Sequence, residues 1–208
     1  MISIKNYKQP FDAITDFEQA IAKFTGAPYC VSTDCCTHAI EMCFILDKVK
    51  STKFTPYTYL SVPMTMHKLG VEYEYLNHDR CEWSGEYEFI DTRIWDSARI
   101  LEPNMYKPGK LLCLSFGQTK PLTIGHGGAI LLDDVEDYDK LRQMRYDGRD
   151  LNLLPWSTQK VFKQGYHYYM RPEDCVTGLN LLNSKIFTEQ KETFYNYPDC
   201  RTITIIND

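Results

Sequence analysis

Apolar residues recur every three or four positions in some stretches and in runs or alternation in others, so the chain predicts helices and strands in turn. Residues 11–26 predict an amphipathic helix that Gly26 ends. Residues 34–50 are apolar on nearly every face, which is typical of a buried helix, and Thr33 and Asp34 are its predicted capping residues. The apolar positions of the first helix are Ile14, Phe17, Ile21 and Phe24.

The alternation of strands and helices continues to the end of the chain. It predicts an α/β layer architecture with a largely parallel sheet. The polar stretch 77–86 is a predicted loop, and 149–170 shows no clear order. No interdomain linker interrupts residues 1–208, so we expect a single domain. The further predicted strands are 28–33, 53–60, 71–76, 87–96, 110–116 and 127–134, with a last one ending the tail 197–208, and the further helices are 61–70, 135–148 and 171–194.

Composition and charge exclude several classes of protein. The 208 residues are 43% hydrophobic and 25% charged, which is typical of a soluble globular domain. The net charge of −5 argues against a general nucleic-acid binder, since no basic excess exists to neutralise phosphates. No apolar run has membrane-spanning length, and the N-terminus lacks the apolar core of a signal peptide. We expect a cytoplasmic protein.

The eight cysteines predict buried, reduced thiols, because several lie inside apolar runs and the chain is too long for a disulfide scaffold. Cys35, Cys36 and His38 are close together in the sequence. No C-x-x-C pair accompanies them, and zinc sites usually contain one. We therefore expect no metal site.

Three polar clusters follow predicted strands, at residues 32–37, 96–99 and 115–120. In open α/β sheets, ligands collect at the carboxyl ends of strands. The first cluster opens a helix whose free N–H groups suit a phosphate, although an ordinary capped helix would look the same. Asp34 would repel a phosphate there unless its side chain turns away.

The other two clusters each contain a residue with reactive or cofactor-binding chemistry. Asp96 follows an apolar strand and needs a cationic or N–H partner, and a structural pair with Arg99 would satisfy it equally well. Lys120 lies in a tight loop between two apolar runs, where a lysine has a lowered pKa and can form a Schiff base; taken alone it would be a surface lysine. A phosphate cradle, a carboxylate and a Schiff-base lysine are together the three groups that pyridoxal 5′-phosphate (PLP) needs.

The segments around these clusters resemble the DegT/StrS family of PLP-dependent sugar aminotransferases, which have the PLP transferase fold type I. The most specific match is LSFGQTKPLTIGHGGAILLDD, which is similar to the family's Ser-Phe-x-x-x-Lys-x-Leu-Thr-x-Gly-x-Gly-Gly segment. The other matching segments are FEQAIAKFTGAPYCVSTDCCTHAIEMCF, TPYTYLSVPMTMHKLGVEYEYL, IWDSARIL and GYHYYMRPEDCVTGL. The resemblance implies the three-layer, mostly parallel large domain of that fold, with the C-terminal small domain largely absent.

The resemblance also implies a role for each matching residue. Lys120 would form the Schiff base and act as the proton-transfer base, and Asp96 would pair with the pyridine nitrogen. The other implied cofactor contacts are Ser115 and the N–H groups of Cys35 and Cys36 at the phosphate, Tyr59 stacked on the ring, and Arg99 near the ring hydroxyl. The implied substrates are a keto-sugar nucleotide and an amino donor, usually glutamate, and the implied assembly is a homodimer with its sites between subunits.

The chain departs from the family at several site positions. Pro121 replaces the usual Asn, Tyr169 replaces an Arg or Asn, Asp34 replaces a small residue, and Arg99 stands where Gln or His is usual. The chain is also considerably shorter than family members. Two alternatives to an aminotransferase follow: a non-catalytic binding or scaffold protein, and a PLP-dependent sugar dehydratase. In the dehydratases a histidine replaces the lysine, so Lys120 favours transamination.

Overall fold

Helical spacing marked the positions of the α-helices well. The computed structural model describes residues 1–77, 85–153, 155–187 and 197–206, and five α-helices lie in these ranges. Gly26 follows α1 with a left-handed φ of 76°, as expected for a glycine that ends a helix. The predicted loop 77–86 lies mostly outside the described residues. The predicted helix 171–194 ends earlier, at Asn183, and residues 188–194 lie outside the described residues. The helices are α1 (Asp12–Thr25), α2 (Cys36–Asp47), α3 (Ser61–Leu69), α4 (Val135–Met144) and α5 (Pro172–Asn183).

The predicted strands are present, with three corrections. The predicted strand 53–60 is observed as Ser51–Phe54, and residues 55–60 are not in a strand. Residues 87–96 form two strands and not one, because Asp91 adopts a left-handed φ of 64° and turns the chain between them. The described end of the tail is a short 3₁₀ turn at Cys200–Thr202, followed by irregular chain and not by a strand. The strands are β1 (Tyr29–Thr33), β2 (Ser51–Phe54), β3 (Glu72–Tyr75), β4 (Tyr87–Glu88), β5 (Ile94–Asp96), β6 (Leu111–Ser115) and β7 (Gly128–Leu132).

The main sheet has the strand order β1-β7-β6-β5-β4, and it is mixed. Strands β5 and β6 pair in parallel, whereas β7 is antiparallel to both of its neighbours, β1 and β6. The expected α/β fold is confirmed, but the sheet is less parallel than expected. The reason is that β6 and β7 are joined by the loop 116–127, which contains no crossover helix and so returns the chain antiparallel. Strands β1, β5 and β6 nevertheless point in one direction.

Helices cover both faces of this sheet and complete the three layers. Along β6, Leu111 and Cys113 pack into one apolar cluster, which includes α2, α3 and α4 residues. Leu112 and Leu114 point to the opposite face and pack against α1 and α5. This alternation follows from the period of two in a strand, so every central strand is buried on both sides. Strands β2 and β3 form a separate parallel pair.

The seven described cysteines carry free thiols, and five of them are buried. Burial raises the pKa of the Cys30 and Cys113 thiols well above the ordinary value. Buried, reduced thiols were expected in these apolar runs. Five of the seven described cysteines are buried as expected, whereas Cys35 and Cys36 are intermediate in exposure. Within the same ranges, no helix combines the length and the apolar character that crossing a bilayer requires.

Candidate active site

A cavity of about 380 Å³ opens at the sheet edge where β1, β5 and β6 end. Because these strands share one direction, their carboxyl ends carry the three polar clusters to the same place. Fold topology therefore brings together residues that lie as much as 85 positions apart in the chain. All the predicted site residues line this cavity: Cys35, Cys36, Tyr59, Asp96, Arg99, Ser115 and Lys120.

The N-terminus of α2 forms one wall of the cavity. Cys35 is its N-cap residue, and the Cys35 side chain makes no capping hydrogen bond. The first turn therefore presents backbone N–H groups to the cavity, which is a ready site for an anion. Gly128 makes this approach possible, since a Cβ there would lie 2.5 Å from the Cys35 carbonyl carbon and from the Cys36 nitrogen. Strand β7 can pass this close to the helix start only through a glycine.

The prediction that Thr33 and Asp34 cap α2 is wrong. Thr33 Oγ1 donates to the Cys35 carbonyl at 2.9 Å, and Asp34 Oδ1 lies 2.7 Å from His38 Nδ1, one turn into the helix. Burial opposes a charge on His38, but its hydrogen bonds to Asp34 and Cys35 raise its pKa to about 10. The carboxylate that would repel an anion is thus paired with an imidazolium.

Asp96 ends β5 and is 8% exposed. Its Oδ1 accepts a hydrogen bond of 2.9 Å from the Ala98 N–H, and its Oδ2 accepts one of 3.0 Å from the Tyr87 hydroxyl. Burial raises the pKa of Asp96, while these two hydrogen bonds and the charges of Lys120 and Arg99 lower it. These two hydrogen bonds hold the carboxylate in one orientation, and Asp96 lines the cavity.

Lys120 is half-buried in the loop that follows β6. Burial lowers the pKa of its amine, and the nearby charge of Asp96 opposes that shift in part. A larger neutral fraction of the amine makes Lys120 a better nucleophile than a surface lysine. The sequence-based expectation of a lysine with a lowered pKa is therefore supported by the geometry.

The backbone around Lys120 is tightly held. The Lys120 N–H donates to the Gly117 carbonyl at 3.2 Å, and Thr123 Oγ1 donates to the Lys120 carbonyl at 2.7 Å. Gly125 has a φ of 111°, which lets the chain turn back towards β7. Pro121, the unusual residue after the lysine, is buried and continues into the fully buried Leu122. These contacts fix the backbone position from which the Lys120 side chain extends towards the cavity.

The remaining predicted residues occupy different depths of the cavity. Ser115 is half-buried and lines the cavity, and its Oγ accepts a weak hydrogen bond of 3.5 Å from the Gly117 N–H. Arg99 is 8% exposed, whereas Tyr59 is 61% exposed and packs edge-on against Tyr197 at the rim. An aromatic ring bound in the cavity would therefore contact Tyr59 only near the opening of the cavity.

Tyr87 and Thr58 also line the cavity, and neither was predicted as a site residue. The Tyr87 and Thr58 hydroxyl oxygens are 2.6 Å apart, and Tyr87 also bonds Asp96. Tyr87 pairs directly with Asp96 across the β4–β5 hairpin. Predicting the Asp91 turn would have found this pairing, because a hairpin places those two residues opposite each other.

Comparison with known proteins gives consistent results. Residues 3–99 and 104–197 match the model of the DegT/DnrJ/EryC1/StrS aminotransferase family. A transaminase of Campylobacter jejuni, named for UDP-4-amino-4,6-dideoxy-N-acetyl-beta-L-altrosamine, is 32% identical over 94 residues, which are 45% of this chain and 24% of that protein. Helicobacter pylori PseC, an aminotransferase of pseudoaminic acid biosynthesis, has a similar structure, with a TM-score of 0.70, 16% identity, and coverage of 87% of this chain and 60% of PseC.

Two further solved structures share the fold. DesI, crystallised with its TDP-sugar product, has a TM-score of 0.66 at 16% identity over 83% of this chain and 54% of DesI. A Brucella abortus DegT DnrJ EryC1 StrS aminotransferase also has a TM-score of 0.66, at 15% identity over 83% of this chain and 59% of that one. The chain thus spans little more than half the length of these structures. Since the family model matches nearly all of residues 3–197, the chain belongs to the DegT/DnrJ/EryC1/StrS aminotransferase family.

Proposed function

We propose that this chain is a PLP-dependent aminotransferase that transfers an amino group from glutamate to a keto-sugar nucleotide. One observation carries the proposal: Lys120, Asp96 and the uncapped N-terminus of α2 face a single cavity. The family consists of PLP-dependent aminotransferases, which implies PLP for this chain. The names of a UDP-amino-sugar transaminase and of a TDP-sugar complex among its relatives support a nucleotide-linked sugar as the amino acceptor.

The donor set of the cavity fits PLP. A lysine amine, a buried carboxylate and free helix N–H groups match its aldehyde, pyridine nitrogen and phosphate in that order. When bound, PLP supplies an aldehyde that takes up amino groups and a ring that accepts electrons from the substrate carbon. Lys120 would hold the aldehyde and Asp96 the ring nitrogen. The remaining holding residues would be Cys35, Cys36 and Ser115 at the phosphate, Arg99 at the ring hydroxyl and Tyr59 at the ring face.

Lys120 would have two tasks. Its lowered pKa leaves part of the amine neutral, so Nζ can attack a carbonyl carbon without first losing a proton to bulk water. When the amine is free, Nζ would act as a general base that takes a proton from the amino donor's Cα and then as the acid that gives the proton back to the bound molecule. The hydrogen bonds within residues 117–123 fix the backbone from which the Lys120 side chain extends towards the cavity.

Asp96 and α2 would fix the ends of the bound cofactor. The Asp96 carboxylate, oriented by Tyr87 and Ala98, would stabilise a protonated nitrogen throughout the reaction. The N–H groups at the start of α2 would bind the phosphate, with the Ser115 hydroxyl as a further donor. Pairing with His38 offsets the Asp34 charge beside this phosphate.

The proposal includes a single domain that forms a homodimer. Tyr59, Leu60 and Met64 are apolar or aromatic residues at or near the cavity rim, and each is at least 40% exposed. Exposed apolar residues next to a site favour coverage by a second subunit. Such coverage would also exclude water from the cavity.

The test uses the colour that PLP acquires when it is attached to a lysine. The purified chain is mixed with PLP and reduced with borohydride, and the modified peptide is identified by mass spectrometry. We expect a yellow protein with the adduct on Lys120, loss of both in Lys120→Ala, and no change in the exposed control Lys8→Ala. Glutamate should then bleach the unreduced colour, and a keto-sugar nucleotide should restore it.

Each outcome has a defined meaning. A wild-type chain that stays colourless at saturating PLP, or an adduct elsewhere than on Lys120, would overturn the proposal and favour the non-catalytic binding protein. A yellow protein that glutamate does not bleach would retain the cofactor assignment and reject the amino donor.

A further inference from the structure

Asp34, Cys35 and His38 form a compact group of three different metal-ligand types beside the cavity. One ligand atom from each residue lies within 4.8 Å of the other two. All three residues are intermediate in exposure, and the side chains of Asp34 and His38 are 29% and 27% exposed. A hydrated ion from solvent can therefore reach the group. We propose that these residues form a three-ligand site for a divalent cation of the Zn²⁺ class.

The distances suit such an ion after small movements. Tetrahedral Zn²⁺ with bonds of about 2.0 Å to nitrogen and oxygen and about 2.3 Å to sulfur separates its ligand atoms by roughly 3.3 to 3.5 Å. Asp34 Oδ1 and His38 Nδ1, now 2.7 Å apart, would move apart by about 0.6 Å. No other pair of ligand atoms needs to close by more than about 1.3 Å, since none exceeds 4.8 Å. Binding would displace the proton that His38 Nδ1 shares with Asp34 and the proton of the Cys35 thiol, and both protons would pass to solvent.

The backbone that carries the three ligands is already held in place. The Asp34 N–H donates to the Tyr168 carbonyl at 2.7 Å, and the Cys35 carbonyl accepts from the Ala39 N–H at 3.1 Å. The His38 ring stacks on the Tyr168 ring, with centroids 3.6 Å apart and planes 7° from parallel. A fixed imidazole loses little rotational entropy on binding an ion, which favours affinity.

The donor types select the class of ion. A thiolate, an imidazole and a carboxylate are typical ligands of Zn²⁺, whereas Mg²⁺ and Ca²⁺ prefer oxygen alone. Three protein ligands leave a fourth position open. Cys35 lines the cavity, and Asp34 and His38 do not, so the ion would sit behind the cavity wall and be joined to it through the Cys35 sulfur. The absence of C-x-x-C argued against a metal site, but the spacing D-C-x-x-H at the start of a helix also brings three ligand atoms within 4.8 Å of one another.

The experiment uses Co²⁺, whose bond to a thiolate absorbs in the near ultraviolet and whose tetrahedral complexes absorb visible light. The wild-type chain, free of PLP, is titrated with Co²⁺, and Zn²⁺ is then added to displace it. Cys35→Ser removes the thiolate conservatively, and His38→Ala removes the imidazole. Cys36→Ser is the matched control, because the neighbouring Cys36 thiol bonds the Cys113 carbonyl at 3.7 Å and lies outside the group.

We expect a thiolate band in the wild type and in Cys36→Ser that one equivalent of Zn²⁺ abolishes. The band should be lost in Cys35→Ser, and Co²⁺ affinity should fall by more than about tenfold in His38→Ala. A wild-type chain without the band at saturating Co²⁺, or a band that survives Cys35→Ser, would overturn the proposal. Circular dichroism of each variant separates loss of a ligand from loss of the fold.

Discussion

The hydroxyl of Tyr87 donates a hydrogen bond of 3.0 Å to Asp96 Oδ2. Its oxygen also lies 2.6 Å from Thr58 Oγ1, so a short chain of polar groups runs from Thr58 to the buried carboxylate. Tyr87 and Asp96 face each other across the β4–β5 hairpin, and burial raises the pKa of both side chains. A carboxylate without this donor would lose part of what stabilises its charge.

Replacing Tyr87→Phe should destabilise the chain by about 1.5 to 3 kcal/mol, the range for a hydrogen bond to a charged group. The change also raises the pKa of Asp96 further, since this bond favours the ionised form. The loss should therefore shrink as the pH falls through the raised pKa of Asp96 and the carboxyl becomes protonated. Urea unfolding of the wild type and Tyr87→Phe as a function of pH measures this loss in the free energy of unfolding. Thr58→Val leaves the Tyr87–Asp96 bond intact and should cost less at neutral pH; an equal or larger loss would contradict this explanation.

The lowered pKa of Lys120 predicts a pH-dependent gain in stability for Lys120→Met. Below the lowered pKa, both the folded and the unfolded state carry the charge, and the folded state bears the full cost of burying it. Between the lowered pKa and the ordinary value of 10.5, the unfolded state binds more protons, so wild-type stability rises with pH.

The free energy of unfolding of Lys120→Met, measured against the wild type, should therefore show its largest advantage below the lowered pKa of Lys120. That advantage should decline as the pH approaches 10.5. An advantage that grows with pH would show that the lysine is stabilised as a cation in the folded state.

Gly128→Ala should disrupt the proposed anion-binding N–H groups at the start of α2. The added Cβ would lie 2.5 Å from two backbone atoms of Cys35 and Cys36, and neither β7 nor α2 can move without disturbing the sheet. We expect a loss of about 1 to 3 kcal/mol or more, as for overpacked cores, together with weaker binding of PLP.

Gly117→Ala is the matched control for that substitution. A Cβ at Gly117 meets its nearest neighbours, Ser115 Oγ and Lys120 Cγ, at 3.7 and 3.8 Å, which are ordinary contacts. Thermal unfolding and PLP titration of the two variants should separate them clearly. Equal behaviour would mean that the close approach of Gly128 to the helix start is unimportant.

Breaking the buried pair between Glu18 and Arg145 should cost about 3 to 5 kcal/mol, because the remaining charge has no water to solvate it. Arg145 donates to Glu18 and to the Ser32 carbonyl, and the Ser32 N–H donates to Glu18 at 2.7 Å. Both charged residues are at most 6% exposed. Glu18→Ala, assayed by urea unfolding, tests this expectation.

The exposed pair Lys53–Glu74 provides the comparison for the buried one. Its side chains are 50% and 71% exposed, so water screens the charges and Lys53→Ala should have little effect. A similar loss in Glu18→Ala and Lys53→Ala would contradict the role assigned to burial.

The positions of the predicted elements depended on local information, and most were correct. Apolar spacing in 11–26 gave a helix that ends at Gly26, because periodicity and a glycine stop act within a few residues. The turn at Asp91 escaped prediction, since an aspartate with a left-handed φ is uncommon and the surrounding residues read as one continuous strand. The capping of α2 was predicted wrongly because Asp34 can pair with His38 as readily as it can cap.

Some features of the candidate site could likewise be predicted from local sequence, and others could not. Lys120, Asp96 and the start of α2 were recognisable because each follows an apolar run and carries a residue type with distinctive chemistry. Their meeting in one cavity, the antiparallel return of β7 and the hydrogen bond from Tyr87 depend on contacts between distant parts of the chain. Such contacts leave no periodic signal in the sequence, because they result from packing helices on both faces of the sheet. Local order could thus be predicted from the residues alone, whereas strand direction and the partners of the buried charges were set only by the tertiary fold.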